Sequence, residues 1–263
     1  DPSCHMDYAE QAFGIGLHCF IEASVTELER IKKLCNKLND NCAVIIPSNT
    51  MRYYPGPSLV REIIEKELIG KPLSLNYHTG QYLPDWHPWE NIEDFYVSRR
   101  ETGGAREIVP FELAWINEIF SNPEPLCAIK DKLADFEADI DDIYCCLLRY
   151  PSGMIASITI DVISRPKATR YLTILGSEGK IIFDGDKNSV RYINTDMSDW
   201  IETFFDSGTI EEDYINPEEP YIAELRDFIT AIDKVDRKIF PNSLEKDIEV
   251  LSLLNRLEMM NVY

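Results

Sequence analysis

Residues 78–115 read HTGQYLPDWHPWENIEDFYVSRRETGGAREIVPFELAW, and most of the side chains able to do chemistry stand in this stretch. Two carboxylates, Glu107 and Glu112, follow a Gly-Gly pair in a helix-like run over 105–120. Glu107 lies about one helical turn before Phe111 and Glu112, so the two acids are expected to approach one pocket. There a partly buried carboxylate with a raised pKa serves as a general base. His87, between Trp86 and Pro88, is a second proton-transfer candidate, because imidazole titrates near neutral pH. His78, Tyr82 and Trp86 offer the aromatic and hydrogen-bonding walls that suit a polar, ring-shaped ligand such as a sugar. Arg99 and Arg100, just before the glycines, are placed to receive a phosphate or carboxylate. Each has a plainer alternative. Glu112 reads also as a surface or salt-bridged residue, His87 as a packing or hydrogen-bonding residue, Trp86 and Trp89 as a satellite core, and the arginines as solvated charge.

The elements that must position these groups follow from periodicity. Residues 5–16 predict a short helix closed by glycine, with Gly14 and Gly16 as its C-terminal cap. A strand of 17–22, a helix of 25–39 and a strand of 42–46 follow, the rhythm of a doubly wound α/β fold. Residues 47–57 (PSNTMRYYPGP) are a Pro-rich connection and the candidate domain boundary, dividing residues 1–48 from 49–263. Beyond it a helix of 57–69 and a strand of 72–82 lead into the pocket stretch. Strands are then expected at 125–137, 142–150, 154–163, 169–176, 180–184, 189–194 and 200–205, making an open, mainly antiparallel sheet of six or more strands. Tyr150-Pro151-Ser152-Gly153 reads as the turn of an antiparallel hairpin. Helices of 218–235 and 243–260 close the chain and are placed to pack back on the first domain. The fold class is therefore α/β, a partial Rossmann-like unit followed by an α+β domain.

A formal charge of −20 argues against nucleic acid and anionic membrane surfaces, which need clustered Lys and Arg. The seven cysteines are odd in number and lack paired CxxC spacing, so free thiols in a reducing cytoplasm fit better than a disulfide framework or a zinc site. No apolar run approaches the length of a membrane span.

Four segments, in order, resemble the Gfo/Idh/MocA family of NAD(P)-dependent oxidoreductases. AFGIGLHCFIEAS (12–24) resembles the family's helix-Gly-strand run ending in Glu-Lys-Pro, and NTMRYYPG (49–56) its Asn-x-x-Arg-(aromatic)-x-Pro segment. ETGGAREIVPFELAW (101–115) is similar to its Gly-rich, Asp-x-x-x-His helix start, and LGSEGKIIFDG (175–185) to its strand-turn-strand signature. QYLPDWHPWE resembles a subgroup associated with surface-polysaccharide and nine-carbon sugar pathways. The resemblance implies NAD or NADP as cofactor, a sugar or nucleotide-sugar substrate, Glu22 and Arg52 beside the cofactor cleft, and a homo-oligomer formed through the open sheet. It also implies that the N-terminal half of the nucleotide-binding domain is missing, since no Gly-x-Gly-x-x-Gly occurs. The family's catalytic Lys falls on Ala23, its Asp on Glu107 and its His on Phe111. Two readings follow: an NAD(P)-dependent oxidoreductase acting on a sugar or nucleotide-sugar derivative, or a catalytically silent sugar- or partner-binding relative.

Overall fold

A computed structural model describes residues 1–38, 42–86, 91–210 and 217–260. The first part has helix α1 (His5–Gly14), strand β1 (Cys19–Ile21), helix α2 (Leu28–Leu38) and strand β2 (Ile45–Pro47). β1 and β2 pair in parallel, with Cys19 opposite Ile45. Both strands are shorter than the apolar runs that predict them. β2 starts late because the Val44 amide donates to the His18 ring, 2.9 Å away, rather than to a strand neighbour. α2 buries Ile31, Leu34, Cys35 and Leu38 along one face, as its 3.6-residue period dictates.

A single 3-10 turn (Thr50–Tyr53) leads into helix α3 (Pro55–Glu65), whose first position is held by a proline. Strand β3 (Pro72–Gly80) and helix α4 (Ala105–Phe120) flank the stretch richest in chemistry. Then come β4 (Glu124–Asp131), β5 (Ile143–Arg149), β6 (Ile155–Asp161), β7 (Thr169–Gly176), β8 (Gly179–Asp184), β9 (Ser189–Asn194) and β10 (Ile201–Phe204). Helices α5 (Glu219–Lys234) and α6 (Leu244–Met259) follow. β4 stops at Asp131, short of the expected 137, because the Asp142 carboxylate accepts the Leu133 and Ala134 amides and bends the chain out of the ladder.

Eight strands form one open sheet in the order β10-β9-β8-β7-β3-β6-β5-β4. Every neighbouring pair is antiparallel except β3 and β6, which run parallel with Tyr77 opposite Ile158. β5 and β6 are the antiparallel hairpin that the Tyr150–Gly153 turn signals. Strand alternation sorts the faces: Leu75, Tyr77, Tyr144, Cys146, Leu148, Ala156, Ile158, Leu172 and Ile174 are buried on one side. α4 covers that side over β5 and β6. α6 packs on α4 and β4 and also on α2 and β2, so a single buried cluster runs from Met6 to Leu257. A smaller one joins Val44 and Ile46 to Ala231 and Phe240.

Candidate functional site

α4 is the element on which the site is built, and two glycines set its approach. A Cβ on Gly103 would sit 2.1 Å from the Val97 carbonyl oxygen, so only glycine allows this crossing. Gly104 has φ 62° and ψ −149°, a region that side chains exclude, and it turns the chain into the helix. The Ala105 amide then donates to the Asp141 carbonyl, 3.0 Å away.

The face of α4 turned to the sheet carries Glu112, which is fully buried. Its Oε2 accepts from Tyr77 Oη at 2.7 Å and from Trp115 Nε1 at 2.8 Å, while Oε1 pairs with the Arg170 guanidinium at 2.6 Å. The carboxylate is committed to a closed structural network, which corrects its assignment as a base. The expectation that Glu107 and Glu112 share a pocket is also overturned. Five residues on a helix of about 100° per residue leave them about 140° apart.

Glu107 lies on the other face with Phe111, Ala114 and Glu118, at i, i+4, i+7 and i+11. Its Oε1 accepts from Tyr96 Oη at 2.7 Å, and its Oε2 is buried with no hydrogen-bond partner. Burial pushes the carboxyl up to about 7 against the lowering effect of the Tyr96 bond, and Glu22 adds to the rise. Glu22 sits at the end of β1, exposed, where it accepts from the Ser48 hydroxyl at 2.9 Å. His5 of α1 also feels the Glu22 charge. Its Nδ1 is buried without a partner, and burial depresses its pKa.

Ala23 and Phe111 line one narrow cavity together with Ser24, Asn49, Ala114 and Asp247. The cavity holds about 10 Å³, room for roughly one water. Asp247, from the first turn of α6, was not singled out by its sequence context, because an acid there looks like an ordinary complement to the helix dipole. Its Oδ2 is buried and unpartnered, and burial lifts the carboxyl to about 7 despite a hydrogen bond from Ser24. On its other side Asp247 lines a second, larger cavity between α4 and α6, of about 240 Å³.

The remaining sequence-derived candidates are dispersed. Arg52 forms an ion pair with Glu118 of α4, which Arg61 also approaches at 3.7 Å. His78 Nε2 meets Asp161 Oδ2 at 2.7 Å on the open side of the sheet. The Tyr82 ring packs on Phe136 and carries the Arg165 guanidinium 4.0 Å above it. Trp86 rests on the core with its Nε1 buried and unpartnered. Arg100 is taken up by Asp139 at 2.7 Å and Asp141 at 2.6 Å, so it is not waiting for an anionic ligand. Exposed Arg99 pairs with Asp1 at 3.2 Å. His87 and Trp89 lie outside the described residues. Among the described residues there is no cluster of three or more potential metal ligands and no helix long and apolar enough to cross a membrane.

Comparison with known proteins agrees with this architecture. The family model of the GFO/IDH/MocA C-terminal domain matches residues 58–182. Among solved structures, levoglucosan dehydrogenase in complex with NADH superposes with a TM-score of 0.82 at 18% identity, over 98% of this chain and 74% of that one. An oxidoreductase from Agrobacterium radiobacter, in complex with NAD+, L-tartaric acid and magnesium, gives 0.81 at 13% identity, over 99% and 75%. UDP-N-acetylglucosamine 3-dehydrogenase from Acidithiobacillus ferrooxidans gives 0.73 at 16% identity, over 99% and 76%. These likenesses are of fold. Sequence comparison with curated proteins gives no match.

The nicotinamide dinucleotide seen in such relatives finds no cradle among the described residues. A pyrophosphate needs glycine-lined backbone at a helix N-terminus. Gly14 and Gly16 instead lie at the C-terminal end of α1. The glycines that do stand at helix N-termini, Gly56, Gly103 and Gly104, have their Cβ space filled by Phe183, Val97 and Asp141. The described residues do not fit the group.

Proposed function

We propose that the protein is a sugar- or nucleotide-sugar-binding member of this oxidoreductase family in which the usual residues for hydride and proton transfer are not in place. The observation that carries the reading is the cavity shared by Ala23 and Phe111, with room for roughly one water. An alanine cannot orient a substrate hydroxyl, and a phenyl ring cannot take a proton. The ligand class is supported by the company the fold keeps: levoglucosan dehydrogenase has been solved with levoglucosan and with L-sorbose, and another relative is a UDP-N-acetylglucosamine dehydrogenase.

A second reading, an NAD(P)-dependent oxidoreductase with a carboxylate in the histidine's role, is favoured by Glu107. A buried acid held near 7 with one unpartnered oxygen suits a general base. Calorimetric titration with NADH, NADPH and a set of UDP-sugars separates the two. The first reading expects sugar binding without either dinucleotide at a Kd tighter than about 1 mM. Micromolar NADH binding, with turnover abolished in Glu107→Gln, would replace it by the second.

We also infer a homo-oligomer through the open sheet. Its outer side exposes Ile129 and Leu147 on β4 and β5 and Tyr171 and Leu175 on β7, apolar surface that a second copy would cover. Sedimentation at micromolar concentration is expected to show a dimer or larger species, dissociated by Leu147→Glu. A wild-type monomer under those conditions removes the inference.

A further inference from the structure

The larger cavity, between the C-terminal half of α4 and the first turns of α6, is separate from the closed space beside Phe111 and touches it only through Ala114 and Asp247. At about 240 Å³ it has room for several waters or one small polar molecule. Two of its lining residues, Asn117 and Asp247, are themselves 7% and 8% exposed, and each carries a buried polar atom with no hydrogen-bond partner. Folded proteins satisfy nearly all such atoms, and an exception calls for a reason.

The two atoms are chemically complementary. Asn117 Oδ1 accepts from the buried Tyr150 hydroxyl at 2.9 Å, which fixes the amide and leaves Nδ2 as a donor. Asp247 Oδ2 has no partner and accepts whenever the carboxyl is ionised. The charges around them nearly cancel. Glu118 is paired with Arg52, and Glu249, which accepts from Asn122 at 2.6 Å, stands on the same lining as Lys246. Lys246 is exposed, donates to the Pro241 carbonyl at 2.6 Å, and has its pKa lowered by partial desolvation and then by Arg52. Ala114 and Val250 add an apolar patch. A near-neutral pocket with a separate donor, a separate acceptor and an apolar wall matches hydroxyl groups, which both donate and accept, on a carbon ring.

We propose that the cavity between α4 and α6 binds one neutral polyhydroxylated ring, a hexose or cyclitol unit, with Asn117 donating to one hydroxyl and Asp247 accepting from another. The inference rests on the binding reading above and gives it a place. The site lies on the far side of Phe111 from Glu107, so it does not depend on either acid–base assignment.

The test is a calorimetric titration of the whole chain with D-glucose, D-galactose and myo-inositol, and with glucose 6-phosphate and glucuronate as anionic counterparts. Val250 methyl resonances are followed in parallel. At least one neutral compound is expected to bind saturably and to shift the Val250 methyls, with the anionic forms no tighter. Asn117→Asp keeps the acceptor for Tyr150 and removes the donor, and Asp247→Ala removes the acceptor. Each is expected to weaken binding at least tenfold, while Lys187→Ala on the β8–β9 turn leaves it within twofold. Asp247→Ala is also expected to melt no lower than wild type, because the carboxylate it deletes is buried with an unpartnered oxygen. Unchanged affinity in both variants, tighter binding of the anions, or no Val250 shift overturns this site while the binding reading stands. No binding of any sugar or sugar nucleotide overturns both.

Discussion

The two faces of α4 differ as a finished structure differs from an open one. Towards the sheet, Glu112 has both carboxylate oxygens answered, by Tyr77, Trp115 and Arg170, and it is sealed from solvent. Elsewhere on the helix, Glu107 and Asn117, with Asp247 of α6 opposite, each keep a buried atom without a partner. Both faces hold carboxylates on the same helix. What separates them is satisfaction, and satisfaction distinguishes a group that stabilises the fold from one that waits for a ligand.

Breaking the closed face should have the largest effect. Glu112→Ala leaves the buried Tyr77 hydroxyl and Trp115 Nε1 without an acceptor and the partly exposed Arg170 without its counter-ion, and a loss of about 3–5 kcal/mol is expected from urea denaturation. If the loss is under about 1 kcal/mol, the two faces are not as different as their hydrogen bonds imply.

The open face should respond in the opposite sense. Glu107 has a folded-state pKa of about 7 against about 4.5 for an ordinary glutamate. The native state therefore holds its proton more tightly than the unfolded state. This contribution to stability is greatest below about 4.5, declines as pH rises towards 7, and stays lost above it. Glu107→Gln is expected to gain up to about 3 kcal/mol at pH 8 and little at pH 4, at about 1.4 kcal/mol per pKa unit. Melting curves of both proteins across that range check it. Glu224 and Asp247, both also pushed up to about 7 by burial, leave a residual slope of the same sign in the variant.

The smallest effect is predicted where neither satisfaction nor burial operates. Arg99, exposed and paired with Asp1, should change stability by less than about 0.5 kcal/mol on replacement by alanine. Loss of sugar-nucleotide binding in that variant would return Arg99 to the ligand site.

Much of the scaffold is legible in the residues. The run of 105–120 predicts α4 to the residue, and 169–176 and 189–194 do the same for β7 and β9, because apolar periodicity and glycine punctuation are local signals. The parallel pairing of β3 with β6 is not legible. Its register joins Ser74 to Ile155 across about eighty residues, and no local pattern encodes that. The site was half visible. Glu107 stands out by its place after the glycines, and Ala23 and Phe111 by their apolar side chains in the two segments that line the small cavity. Asp247 does not, since only the packing of α6 against α4 and the β1 loop turns a first-turn acid into a buried one.

The sequence by itself determined that Ala23 and Phe111 bring neither an amine nor an imidazole to the small cavity they line. It determined too that α4 begins at a pair of glycines, because no side chain tolerates those two backbone positions. Only the tertiary structure decided which carboxylates are answered. Hydrogen-bond satisfaction depends on partners such as Tyr77, 35 positions away from Glu112, and Arg170, 58 positions away, brought within about 3 Å by a sheet whose order the chain's local patterns do not contain.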